Sequence, residues 1–254
     1  MLAAQLHHKV PVEFEGMEDV LTSSVFGLLR YLPAPLACHL LACWADLPPQ
    51  TNTPDVEFWP RYPTPQDFGI FVDSKRQEEL PDRGDSEPDV VIRTEQWLVL
   101  VEVKYQSSLD HAYDQLSREF AIGYELAQSE GRHFRLVALT AGVLPPTPGR
   151  LSLTCGVQEA LNRVRHAGGE ITEGLIDAVP DSLRWISWQF VYGTLVQTAR
   201  RQDLTLHNER LLEDTYELLA LRGLRPYSPR PLVRMMQRWE RTAIPEAVWR
   251  SPFA

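Results

Sequence analysis

The sequence predicts an α/β fold: a mixed sheet of four to five strands flanked by helices, with a helical C-terminal addition. Three observations carry that expectation. Residues 87–105 (EPDVVIRTEQWLVLVEVKY) hold two Val- and Ile-rich runs separated by a polar break, which reads as a β-hairpin over 90–94 and 97–104. Residues 109–129 repeat apolar residues at helical spacing and lead into 134–140 (FRLVALT), a short apolar run suited to a buried strand. A helix between two such strands is a crossover connection, which makes them parallel neighbours. At 254 residues the chain is expected to form a single domain over 1–254, with a core at about 13–200 and the helical extension over 201–254.

Taken in order, residues 1–12 read as a loose lead-in. Residues 13–32 place Met17, Val20, Leu21, Val25, Leu28 and Leu29 at helical recurrence and stop at Leu32-Pro33. Glu18 and Asp19 fall in the first turn, where acids complement the helix dipole. Residues 35–45 (PLACHLLACWA) form a second apolar helix, with His39 expected as a packed core histidine. Residues 47–66 are crowded with prolines and read as an irregular connector, of which 58–62 touch the sheet edge. Residues 67–72 (DFGIFV) suit a strand and 73–85 a charged turn region. After the hairpin, 106–108 form a loop and the 109–129 helix turns Leu116, Phe120, Tyr124 and Leu126 toward the sheet. Residues 145–149 break the chain. A helix over 157–165, a strand over 183–187 (LRWIS) and a helix over 188–198 follow. The last helix, 204–221, carries Leu211, Leu212, Tyr216 and Leu219 on one stripe and is closed by Gly223 as its C-cap.

Three charged residues interrupt the apolar hairpin: Asp89, Glu102 and Lys104. If Glu95 and Gln96 form a two-residue turn, Thr94 faces Trp97, and counting outward sets Asp89 opposite Glu102. Lys104, two positions on, points to the same face. Directly opposed side chains have Cβ atoms about 5 Å apart, so two carboxylates and an ammonium share one patch. An odd-length loop would slip the register and separate them. Carboxylates held this close repel unless a cation neutralises them. Oxygen donors suit Mg²⁺ or Mn²⁺, and a lysine beside such an ion can orient a water or stabilise charge on a phosphate. The bland alternative is a solvated strand end with a Glu/Lys pair.

Pro88, Asp89, a hydrophobic strand and then Glu102-Val103-Lys104, with twelve residues between Asp89 and Glu102, resemble the PD-(D/E)xK superfamily of restriction-endonuclease-like nucleases. The order helix, strand, hairpin, helix, strand agrees with the αβββαβ core of that family. The resemblance implies a Mg²⁺-dependent nuclease that hydrolyses phosphodiester bonds, in DNA first, with Mn²⁺ able to substitute. It implies that Asp89, Glu102 and the backbone carbonyl of Val103 hold the metal and that Lys104 positions or activates the attacking water. Many members carry an acid on an N-terminal helix that reaches the site; Glu18 is taken for that role ahead of Asp19 and Glu15. Gln115 matches a glutamine set early in the following helix, against the simpler reading of a polar surface residue, and Tyr124 echoes a later tyrosine, against that of a core aromatic. His111 and Arg118 are candidates for the substrate groove. Many relatives work as dimers, so a homodimer is an expectation too. Two other functions stay open: a catalytically inactive nuclease-fold protein that binds nucleic acid or a partner, and an RNA-cleaving effector of a defence system.

Composition bounds these readings. The net charge of −9 argues against indiscriminate binding of nucleic acid. Of 25 basic residues only Lys9, Lys75 and Lys104 are lysine, so a lysine in the hairpin stands out where a compact ammonium is wanted. Cys38, Cys43 and Cys155 are odd in number and lack CxxC spacing, so neither a disulfide framework nor a zinc or iron–sulfur site is indicated. No apolar run approaches the ~20 residues of a membrane span and no signal-peptide pattern opens the chain, so a cytoplasmic location is expected. Residues 225–250 set Arg225, Arg230, Arg234, Arg238, Arg241 and Arg250 among Tyr227, Trp239 and Trp249, a pattern that fits either a phosphate backbone or a basic surface helix.

Overall fold

The computed structural model describes residues 17–63, 85–105, 112–145, 151–201 and 203–225. The apolar recurrence after Met17 forms helix α1 (Glu18–Gly27), extended by a 3-10 turn at Leu28–Arg30, and α2 (Ala34–Ala45) follows with Pro35 in its first turn. Strand β1 (Asp55–Phe58) comes next, then β2 (Tyr62–Pro63) and β3 (Asp85–Ser86), which pair with each other as a small ribbon. The central elements are β4 (Val90–Arg93), β5 (Trp97–Lys104), α3 (Ala112–Glu130) and β6 (His133–Thr140). Helix α4 (Leu153–His166), short helices α5 (Glu173–Asp177) and α6 (Val179–Ser182), strand β7 (Leu183–Ser187), α7 (Trp188–Ala199) and α8 (Leu206–Leu221) complete the described chain.

One five-stranded sheet runs β1-β4-β5-β6-β7. The pairs β1/β4 and β4/β5 are antiparallel, and β5/β6 and β6/β7 are parallel, so the sheet is mixed. The hairpin takes the expected register: Val90 pairs with Val101 and Arg93 with Leu98. Its link is short because Thr94 closes it twice. The Thr94 N–H donates to Trp97 O (2.9 Å), and the Trp97 N–H donates to Thr94 Oγ1 (3.0 Å), which replaces the missing Asn-Gly turn chemistry.

Helices cover both faces of the sheet, which is why β5 reads as an almost unbroken apolar run. Val99, Val101 and Val103 pack into a core with residues of α1, α2, α7 and α8, while Leu98 and Leu100 pack into a second core with α3 and α4. Helix α3 lies close against the sheet at Gly123, where a Cβ would stand 2.3 Å from Phe134 Cε2 and 3.0 Å from Leu100 Cδ2. Phe134 is itself wedged edge-on against Phe120, with ring centroids 5.2 Å apart. Helix α8 ends in a Schellman-type cap: Gly223 is left-handed (φ 73°), the Leu224 N–H donates to Leu219 O, and the Gly223 N–H donates to Ala220 O.

Several expectations need correction. The proline-crowded 47–66 is not wholly irregular, because β1 lies inside it as the edge strand. Val56 is buried there between exposed Asp55 and Glu57, and four residues are too few for alternation to stand out. Arg30 Nε donates to Val56 O (3.1 Å), tying the end of α1 to that edge. His39 is exposed rather than packed, on the outer strip of α2 with Pro35. Helix α4 starts earlier than predicted, at an N-cap where Ser152 accepts from the Cys155 N–H. The predicted strand over 67–72, the loop over 106–108 and the basic tail beyond Arg225 lie outside the described residues. No helix among the described residues is long and apolar enough to cross a membrane.

Replacing Gly123 by alanine sets about 1 kcal/mol of gained helix propensity against an overpacking cost of about 1–3 kcal/mol. The Gly123→Ala protein is expected to unfold at a lower urea midpoint than the wild type. A midpoint at or above wild type would show that Phe134 has room to move.

Candidate active site at the end of the hairpin

The register that sets Val90 against Val101 brings Asp89, one step outward, beside Glu102. Asp89 completes the strand end with its side chain, since its Oδ2 accepts a hydrogen bond from the Val103 N–H at 2.7 Å. Its own carbonyl accepts from the Trp59 N–H at 3.2 Å, and Trp59 adopts a left-handed backbone (φ 50°), an uncommon conformation for a large side chain. Val91 and Leu100 face α3. Asp89 and Glu102, each two positions from one of them, and Lys104, four positions from Leu100, therefore face α3 as well.

Two helices complete the cluster. From α1, Glu18 reaches the end of β5 and accepts a hydrogen bond from the Tyr105 N–H through Oε2. From α3, Gln115 Nε2 donates to Glu102 Oε1 (2.6 Å) and to Glu119 Oε1 (3.0 Å). Lys104 Nζ also donates to Glu102 Oε1. All the residues that sequence reasoning assigned to the metal and the chemistry, Asp89, Glu102, Val103, Lys104, Glu18 and Gln115, thus meet at one end of the sheet. Tyr124 does not: it packs on Phe120 and Phe134 and lines a cavity with Trp97 and His133 at the opposite end of β5. Arg118 is half-buried on α3, and His111 lies outside the described residues.

Sequence reasoning missed Glu119. It is fully buried, and its place four residues after Gln115 puts both on one helix face. The signal was present, since Glu119 is a carboxylate set inside the apolar stripe of Leu116 and Phe120.

The electrostatics follow from crowding acids out of water. Burial first, and then the Glu102 carboxylate, push Asp89 up to about 8. Burial and the neighbouring Glu119 hold Glu102 well above the usual carboxylate range. Burial likewise raises Glu119 to about 7. For Lys104, burial pulls the ammonium down, but Glu102, Asp89 and Glu18 outweigh it and keep the group above its ordinary value. Lys104 is therefore a charged donor at neutral pH and not a base.

Among the described residues no three His, Cys, Asp or Glu side chains are arranged as a ready metal cage. The donor chemistry nonetheless fits a hard divalent cation. The buried Glu102 and Glu119 carboxyls share a hydrogen bond with each other, the available ligand atoms are oxygens, and four carboxyl groups surround one ammonium. No family model, curated protein or solved structure matches the chain, so the reading of this site rests on its own geometry.

The raised carboxyls fix a pH dependence. Asp89 and Glu119 bind protons more tightly folded than unfolded, so their contribution to stability is complete below about pH 4. It is lost as pH rises through about 7 and 8. Metal-free protein in EDTA is expected to melt at a progressively lower temperature from pH 5 to pH 8.5. Asp89→Asn should flatten that slope, and a slope unchanged by the substitution would show that Asp89 is not the strained group.

Proposed function

We propose that this protein is a divalent-metal-dependent nuclease of the restriction-endonuclease-like, PD-(D/E)xK kind, which hydrolyses phosphodiester bonds in DNA. The observation that carries the reading is the juxtaposition of Asp89 and Glu102 across the hairpin, with Lys104 on the same face and a helix on either side contributing Glu18 and Gln115. The sheet supports it further, with two antiparallel pairings followed by a parallel one behind a crossover helix, in the order the family resemblance implies.

Asp89, Glu102 and the Val103 carbonyl would hold the ion, with Glu18 completing the acidic side. A bound Mg²⁺ or Mn²⁺ supplies Lewis-acid polarisation of the phosphoryl group and a more acidic water. The Val103 N–H fixes the Asp89 carboxylate by occupying its Oδ2, which leaves the other oxygen for the ion. Gln115 does the same for Glu102 through Oε1. Lys104, held as an ammonium by the surrounding acids, donates hydrogen bonds to the attacking water and offsets charge growing on the phosphate. It does not take the proton itself.

Digestion of plasmid and linear DNA with Mg²⁺, and in parallel with Mn²⁺, tests the assignment. Wild-type protein is expected to cut, and Lys104→Ala to lose about 100-fold or more in rate. Undiminished cutting by the variant would remove Lys104 from the chemistry. Single-stranded DNA and RNA run alongside duplex DNA set the substrate, and cleavage confined to RNA would replace DNA in the reading.

A further inference from the structure

A cavity of about 260 Å³ opens at the end of the sheet opposite the acids, roughly 23 Å along β5 from Lys104 at about 3.3 Å per residue. Three aromatic residues, Trp97, Tyr124 and Phe134, line it, together with exposed Gln128 and Asp181 and half-buried Ser182. Apolar walls with a few polar groups are the usual make-up of a ligand pocket, and a space of this size takes one ring system rather than a larger cofactor. A second observation points to a ligand. The Trp97 Nε1 atom is buried, and among the described residues it has no hydrogen-bond partner. A buried indole N–H ordinarily finds an acceptor. Trp97 is also held in place, because the Arg135 guanidinium lies over its ring, 5.5 Å from the centroid. Arg135 is anchored in turn by donating to the carbonyls of Asp181 and Asp46, the latter at 3.2 Å. The result is a preformed aromatic wall with a spare donor.

We propose that this cavity binds a single nucleobase that carries an exocyclic amino group, stacked on the aromatic wall with its polar edge against Gln128, Ser182 and Asp181. Stacking on aromatic side chains is the general way a protein holds an unpaired base. An ionised carboxylate only accepts hydrogen bonds, so Asp181 suits an edge with an amino donor and disfavours uracil and thymine, which present a carbonyl in its place. Gln128 offers both a donor and an acceptor to the ring nitrogen beside that group. The same chemistry serves a free nucleoside and an unpaired nucleotide within a strand. The site needs no metal and stands apart from the acids at the far end of β5.

Titration of adenosine, cytidine and uridine into the full-length protein in EDTA, followed by the indole N–H resonances in two-dimensional NMR, tests the site without reference to cutting. The Trp97 signal is identified among the seven tryptophans as the one missing in Trp97→Phe, or by sequential assignment should that variant not fold. Adenosine and cytidine are expected to move it saturably, with a dissociation constant on the order of 0.1–1 mM, and uridine to bind about fivefold more weakly or worse. Gln128→Ala and Asp181→Ala, both at exposed positions, are expected to weaken adenosine binding about fivefold or more. A short oligodeoxyadenylate that moves the same signal at lower concentration than adenosine supports the site and assigns it to a base within a strand. One that needs a higher concentration supports the site and assigns it to a free nucleoside. A Trp97 signal that adenosine and cytidine leave unmoved at millimolar concentration overturns the proposal. Equal binding of uridine overturns it too, as does adenosine binding that both Gln128→Ala and Asp181→Ala leave unchanged. Failure here leaves the nuclease reading standing.

Discussion

The constraint on which the rest depends is that two antiparallel strands joined by only two residues have one register. Thr94 closes the link from both sides, the ladder runs from Arg93–Leu98 to Val90–Val101, and the next residues outward are Asp89 and Glu102. Both are acids, and both face the same way. Shifting the hairpin by one residue would exchange the valines and leucines of β5 between the two cores and turn Glu102 into the opposite one, so the packing of each core and the proximity of the carboxylates are set together.

The two cores then fix what surrounds that pair. Helix α1 packs Leu21, Val25 and Phe26 into one core, which brings Glu18, in its first turn, to the backbone just past Lys104. Helix α3 packs Leu116, Phe120 and Ala121 into the other and lays Gln115 and Glu119 over Glu102. Tyr105 adds a tie to the C-terminal part of the described chain, since its hydroxyl donates to Arg222 O at 3.0 Å. Acids thus arrive from three elements at one buried point, and the energy to hold them there comes from apolar packing on both faces of the sheet. The raised carboxyls reflect that crowding, which an ion of opposite charge would relieve.

Much of this was legible in the chain itself. The hairpin announced its register because the two apolar runs end in charged residues and leave an even-numbered gap. Strand β7 was bounded by its own short apolar run, and Glu18 by its place in a first turn. What stayed hidden depended on contacts distant in sequence. Strand β1 is too short to show alternation and is a strand because β4 offers its edge. His39 sits among Leu and Cys in the sequence, yet it lies four residues after Pro35 on the strip of α2 left exposed among the described residues. Glu119 was overlooked because a single acid in an amphipathic helix ordinarily faces water, and only the packing of α3 against β5 puts this one inside.

Crystals grown with Mn²⁺ and measured at a wavelength sensitive to manganese give the most direct test of the central claim, that the acids at the end of the hairpin grip a divalent ion. The account predicts an anomalous peak in contact with Glu102 and Asp89, beside the Val103 carbonyl. A well-ordered site with both carboxylates in place and no peak at millimolar Mn²⁺, or a peak that touches neither of them, would contradict it.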